Sequence, residues 1–175
     1  MVVGALMAFA QTDVRRLYGY SGISQIGYIL LGLGIGTPLA IFGSIFHMFN
    51  HSTAKSLLFL SSGVVEEDLG TTDIRKMSGI FSRSKVCGFS HLVGILSLCG
   101  IPPLAGFWSK VIIIFACIQA GKYGVGFAAV VVSMLTIAYY FKAFTPVLFG
   151  PVDGINAPVA ASGIKGGFAT NTVLV

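Results

Sequence analysis

Between Ser21 and Phe149 the chain carries acidic side chains only at Glu66, Glu67, Asp68 and Asp73, so its long apolar stretches contain no carboxylate at all. Those stretches cover residues 21–36, 39–65, 86–120 and 124–149. A helix needs about 20 apolar residues to cross about 30 Å of hydrocarbon. The pattern therefore predicts an all-α polytopic membrane protein. Composition agrees: 55% of the 175 residues are hydrophobic and 10% are charged, where a soluble domain has about 25% charged. With a mean hydropathy of +0.88, a disordered chain, a disulfide scaffold and a typical soluble enzyme are all excluded. The net charge of +5 and pI near 9.3 come without a basic run or a basic-aromatic cluster. No nucleic-acid partner is expected, and basic loops belong beside membrane spans.

Residues 1–10 are apolar but too short to cross, and read as a truncated first helix followed by the polar connector 11–16. No secretory signal is expected here, because a basic start and a small-residue cleavage site are missing. Pro38 separates the second and third segments. Residues 66–85 hold four acids and four bases and read as an aqueous loop. The stretch 86–120 would be roughly 50 Å long as one straight helix. Gly100, Pro102 and Pro103 interrupt it, and two consecutive prolines remove two backbone donors, so a helix break is expected there. The expectation is about five transmembrane segments, one of them broken, over residues 1–149, with a Gly- and Ala-rich tail at 150–175. If the broken stretch counts as one crossing, Arg15, Arg16, Arg75, Lys76, Arg83 and Lys85 share one side and only Lys122 lies in loops on the other. The basic side is then cytoplasmic, with the N-terminus outside and the C-terminus cytoplasmic. Cys87, Cys99 and Cys117 lie in apolar stretches without metal-ligand spacing and read as buried thiols.

The third segment is not uniformly apolar. At about 100° per residue, Ser44, His47, Asn50, His51, Lys55 and Ser62 fall on one stripe within about 60–80° of His47, and Ile41, Phe42 and Leu57 cover the rest. A lysine near mid-membrane costs at least about 2.5 kcal/mol on insertion scales. His47, His51 and Lys55 at successive four-residue steps point to a hydrated ion path, in which imidazole and a desolvated amine exchange protons. Interhelical hydrogen bonding with Lys55 snorkelling to the interface is the alternative. Lys110 follows the break, where irregular backbone at membrane depth must face protein or water, so it too is expected beside a polar cavity. His91 either extends the path or sits near the interface. Lys142 suits snorkelling better than conduction. Asp13, Arg15 and Arg16 read as a charged anchor, and the 66–68 acids as a solvated face. No base-orienter pair surrounds Ser90 or Ser109, and no phosphate loop or metal motif is present, so chemistry on an organic substrate is not expected.

Three ordered motifs carry a family resemblance. Gln11-Thr12-Asp13-Val14-Arg15-Arg16-Leu17 with Ser24-Gln25-Ile26-Gly27-Tyr28 is the first. His47-Met48-Phe49-Asn50-His51-Ser52-Thr53-Ala54-Lys55-Ser56-Leu57-Leu58-Phe59 is the second, and Gly100-Ile101-Pro102-Pro103-Leu104-Ala105-Gly106-Phe107-Trp108-Ser109-Lys110 the third. Together they resemble the antiporter-like proton- and cation-translocating membrane subunits of respiratory complex I, Mrp-type antiporters, and membrane-bound hydrogenases and sulfane reductases. The third motif leans toward the Mrp-like and hydrogenase-like members. The resemblance implies that Lys55 is the channel-linking lysine, with His47 and His51 as relay partners, and that Lys110 is the broken-helix lysine near the channel exit.

A full member has about fourteen helices with two inverted five-helix repeats, and this chain resembles the second repeat only. The expectation is accordingly a half-length subunit of a multisubunit redox-driven ion pump, itself non-catalytic, supplying a Lys/His half-channel for protons or Na⁺/H⁺ exchange. Other membrane subunits, full-length antiporter-like ones included, and the lipid bilayer would be its partners. No cofactor is expected in this chain, iron–sulfur clusters belonging to partner subunits, and a prokaryotic cell membrane is the expected location. A non-conducting structural subunit needed for assembly is the alternative, and ordered water along the stripe separates the two.

Overall fold

The computed structural model describes residues 1–76, 81 and 84–149. Both the expected tail, 150–175, and Arg83 of the basic side lie outside the described residues. The described chain is a bundle of six helices: α1 (Val2–Ala10), α2 (Val14–Ile35), α3 (Pro38–Leu69), α4 (Lys85–Cys99), α5 (Ala105–Gln119) and α6 (Tyr123–Phe149). Among the described residues no strand forms. Helix α3 is central and packs on α2, α4 and α5, while α6 closes the bundle against α1, α4 and α5.

The helix boundaries follow from local chemistry. Asp13 caps α2, its carboxylate accepting the Arg16 backbone N–H at 3.0 Å. Thr37 caps α3 by accepting from the Ala40 N–H, with Pro38 in the first turn, where a missing donor is harmless. The sequence pattern starts the second segment at Ser21, but α2 begins seven residues earlier. The Asp13 cap opens the helix there, and Val14, Leu17 and Tyr18 bury a face of its first turns while Arg15 and Arg16 point outward. At the other end, α3 runs through Glu66 to Leu69, residues expected in the loop, and stops at Gly70 in the left-handed conformation (φ 64°). An acidic run does not end a helix, whereas a glycine free to adopt positive φ does. At about 48 Å, α3 is longer than the hydrocarbon core is thick, and Glu66 and Glu67 lie at one end of it. Tyr123–Thr145 of α6 is long and apolar enough to cross a membrane.

The expected break separates α4 from α5. Gly100 ends α4 with φ 76°, and Leu104 precedes α5. The two halves then touch so closely that a Cβ on Gly106 would stand 1.7 Å from the Ser97 carbonyl oxygen. Only glycine permits this approach.

A polar clamp joins the 11–13 connector to the loop after α3. The Val14 N–H donates to the Thr72 carbonyl at 3.0 Å and the Ile74 N–H to that of Thr12 at 2.9 Å, a single antiparallel bridge between Asp13 and Asp73. The Thr72 hydroxyl donates to the Asp13 carboxylate. Arg15 pairs with Glu66 at 2.6 Å; both groups contact water, so this pair adds little. The connector and the loop thus lie on one side of the bundle.

Partial burial alone would raise the Asp13 carboxyl, but the bonds from Thr72, Arg16 and Arg15 and the Arg16 charge hold it below its ordinary value of 3.8. Its contribution is therefore fully present above that value and is lost as pH falls through the lower folded-state value. Replacing Asp13 with Ala removes the cap and the Thr72 hydroxyl bond of the clamp together, and an unfolding titration in detergent at neutral pH is expected to show a loss of about 1–2 kcal/mol. The difference between wild type and variant should shrink as the pH is taken below 4.

Candidate functional site

The α3 stripe turns inward. His47, Asn50, Lys55 and Ser44 are buried, while Phe42, Ile45 and Phe49 on the other faces of α3 are exposed. At the centre, His47 bonds through both ring nitrogens. Nε2 donates to the Gln25 Oε1 at 3.2 Å and Nδ1 lies 2.8 Å from the Ser109 hydroxyl. Since a carbonyl oxygen only accepts, Nε2 must carry a hydrogen. Neutral His47 then accepts from Ser109 at Nδ1. Doubly protonated His47 donates to Ser109, whose own hydrogen turns to the Gly106 carbonyl 3.1 Å away. The Ser109 hydroxyl thus has a partner available in either protonation state of His47. The amide end of Gln25 donates to Thr136, and Thr136 to the Val132 carbonyl, which fixes the orientation of Gln25.

One turn on, the His51 ring stacks on His47 with centroids 6.3 Å apart, and its Nε2 is buried without a protein partner. Another turn brings Lys55, whose ammonium donates to the Tyr18 carbonyl and to the Ser21 hydroxyl at 2.6 Å. It also lies over the Tyr18 and Phe59 rings. Ser21 continues to the Tyr140 hydroxyl at 3.0 Å.

Lys110 enters from the break. The Leu98 carbonyl lies four residues before Pro102 and so lacks the N–H that a continuous helix would supply. The Lys110 ammonium donates to it instead, at 2.7 Å. It also sits 5.5 Å from the Tyr28 ring centroid, and that ring lies 5.7 Å from His47. Tyr28 itself is anchored on α6 by the Ala129 carbonyl and the Ser133 hydroxyl. Neither buried lysine has a carboxylate partner among the described residues.

The remaining residues singled out in the sequence divide. Asn50 accepts from Ser97 at 3.0 Å and leaves its amide nitrogen unpaired beside Gly106. The Ser44 hydroxyl donates to the Ala40 carbonyl of its own helix and lies against Gly32. His91 is buried between the Tyr18 hydroxyl and Ser61, each 2.8 Å from a ring nitrogen, in a separate polar arm on the far side of Tyr18. Lys142 is not brought into the cluster: it is exposed and donates to the Phe9 carbonyl at 2.9 Å. Sequence reasoning missed the α2 contribution of Tyr18, Ser21, Gln25 and Tyr28. Their spacing of three, four and three residues places them on one helix face, a signal as regular as that on α3.

An all-helical bundle with a broken helix and buried lysines and histidines is the architecture of an integral membrane protein, because such backbone and charge at membrane depth must be enclosed. Residues 1–136 match the sequence model described as "NADH:quinone oxidoreductase/Mrp antiporter, TM". The chain belongs to that family. It is 38% identical over 150 residues to an Na(+)/H(+) antiporter subunit of Alkalihalophilus pseudofirmus, covering 86% of this chain and 30% of the relative. It is 34% identical over 142 residues to an NADH-quinone oxidoreductase subunit of Desulforudis audaxviator, covering 81% and 28%. Among solved structures it is similar to a chain of the membrane-bound sulfane sulfur reductase, described as an archaeal respiratory membrane complex. The TM-score there is 0.83 at 32% identity, over 91% of this chain and 33% of that one. A chain of the Mrp complex from Dietzia sp. gives 0.82 at 33% identity, over 86% and 28%. The chain therefore spans about 30% of the length of the relatives it matches. These solved neighbours are multisubunit membrane complexes.

Replacing Gln25 with Leu would strand the His47 Nε2–H in the interior. An unfolding titration in detergent should register a loss of about 1–3 kcal/mol, whereas a purely space-filling Gln25 would leave stability unchanged.

Proposed function

We propose that this chain supplies an ion-translocating half-channel of an antiporter-like subunit within a multisubunit, redox-linked ion pump. Protons, moved alone or in exchange for Na⁺, travel between Lys110, His47, His51 and Lys55. The redox centres reside in partner subunits, and the side bearing the connector and loop faces the cytoplasm. The observation that supports this best is the pair of buried lysines flanking two stacked histidines, each ammonium resting on neutral oxygens.

In a fixed ion pair a carboxylate would hold the lysine proton in place. Neutral oxygens hold it weakly, and like charges on neighbouring sites repel strongly in an interior that screens poorly. A proton arriving at one end of the row therefore favours release at the other. Ser109 accommodates either protonation state of His47 by turning between the imidazole and the Gly106 carbonyl. The unpaired His51 Nε2 and Asn50 amide are positions for bridging water, which extends a hydrogen-bonded path across gaps that side chains do not close. His91, in its arm with Tyr18 and Ser61, continues the path toward the loop side.

The names of the relatives agree with this reading: an Na(+)/H(+) antiporter subunit, an NADH-quinone oxidoreductase subunit and chains of respiratory and Mrp complexes. The test is proton uptake by vesicles containing the complete complex. With Lys55→Ala or Lys110→Ala, uptake driven by electron transfer should fall to the uncoupled background while the complex elutes intact. Full uptake with both lysines removed would overturn the proposal and leave a role in assembly.

A further inference from the structure

Lys142 stands apart from the buried row and lines a cleft of its own. This cleft of about 210 Å³ on the connector side is lined by Gln11, Thr12, Ile74, Arg75 and Lys142. Two cations from elements far apart in sequence thus meet with two neutral polar side chains, and no acid among the described residues lines the cleft. The carboxylates of the adjoining clamp are committed to other donors. Asp13 accepts from the Arg16 N–H and the Thr72 hydroxyl, and Asp73 from the Arg75 N–H at 3.0 Å.

Lys142 spends one ammonium hydrogen on the Phe9 carbonyl, leaving two for a ligand. The Arg75 guanidinium, outside the one ion pair found among the described residues, offers the planar fork that grips phosphate through two parallel bonds. The level of the cleft narrows the ligand further. Lys142 precedes the end of α6 by seven residues, about 10 Å. It sits beside the end of α1, where apolar helices give way to the polar clamp. Phe9, whose ring centroid lies 5.3 Å from the Lys142 ammonium, and Phe141, the residue before Lys142, are 45% and 46% exposed and offer apolar surface near the charges. The volume is smaller than that of a pocket for a drug-sized molecule. It suits a headgroup whose tails remain outside.

We propose that this cleft binds the phosphate of an anionic phospholipid, with Arg75 and Lys142 as the anion ligands, Gln11 and Thr12 as supporting donors, and the acyl chains along Phe9 and Phe141. Basic recesses between helix ends at a membrane surface favour such lipids over zwitterionic ones. The site is separate from the His47–Lys55 row and does not depend on whether that row conducts.

Native mass spectrometry of the full chain in dodecyl maltoside tests this, with dioleoyl phosphatidylglycerol and dioleoyl phosphatidylcholine supplied in equal amounts. The wild type should retain phosphatidylglycerol preferentially. Arg75→Gln and Lys142→Gln should each weaken that retention about fivefold. Lys142→Arg, which keeps the charge, should preserve it, as should Arg16→Gln, which removes an exposed cation of the same side outside the cleft. Millimolar inorganic phosphate should not displace the lipid. Equal retention of the two lipids by the wild type would overturn the proposal. So would phosphatidylglycerol retention in the Arg75→Gln/Lys142→Gln double variant equal to that of Arg16→Gln, or displacement by inorganic phosphate, which would mark the cleft as a site for soluble anions.

Discussion

The bond from the Lys110 ammonium to the Leu98 carbonyl is the contact on which the rest of the site depends. Pro102 has no N–H, so a helix broken there leaves the Leu98 oxygen without its ordinary donor. An unpaired carbonyl in a dry interior costs several kcal/mol. A lysine buried there without a partner would cost at least as much. Each group answers the other's deficit, which allows a charged side chain and an interrupted backbone to occupy the middle of the bundle.

The same contact sets the position of the neighbouring parts. Drawing Lys110 toward α4 requires α5 to start close to where α4 stops, and Gly106 makes room by bringing bare backbone against Ser97. One turn later Ser109 reaches His47, so the register of α5 decides whether the imidazole has a partner. From the opposite side α2 holds His47 through Gln25 and Lys55 through Ser21 and the Tyr18 carbonyl. The central helix is thereby gripped from both sides by polar groups, inside a shell whose outer surface is apolar. In lipid, where the hydrophobic effect does not press helices together, close packing at small residues and interhelical bonds such as these set their register.

Much of this was legible in the sequence, and what was not has physical causes. Two adjacent prolines force a break in any helical environment, so the α4–α5 interruption needed no tertiary information. The His47–Lys55 stripe was visible because charged and imidazole groups are rare in apolar segments. The α2 face escaped notice because serine, glutamine and tyrosine are common enough in membrane helices that their shared spacing does not stand out; their importance lies in what they touch. Helix ends were misplaced where composition was read instead of capping. Lys142 shows the reverse limit: its depth was legible, but the cleft it forms with Arg75 arises from chain segments brought together only by folding.

An experimental map of the assembled complex that resolves bound water would show whether the proposed α3 row is a wet, connected path. A conducting row should show water density within hydrogen-bonding distance of the His51 Nε2 and the Asn50 amide, linking Lys110 and His47 to Lys55. Apolar side chains or acyl chains packed against the His51 Nε2, with no water between His47 and Lys55, would contradict it.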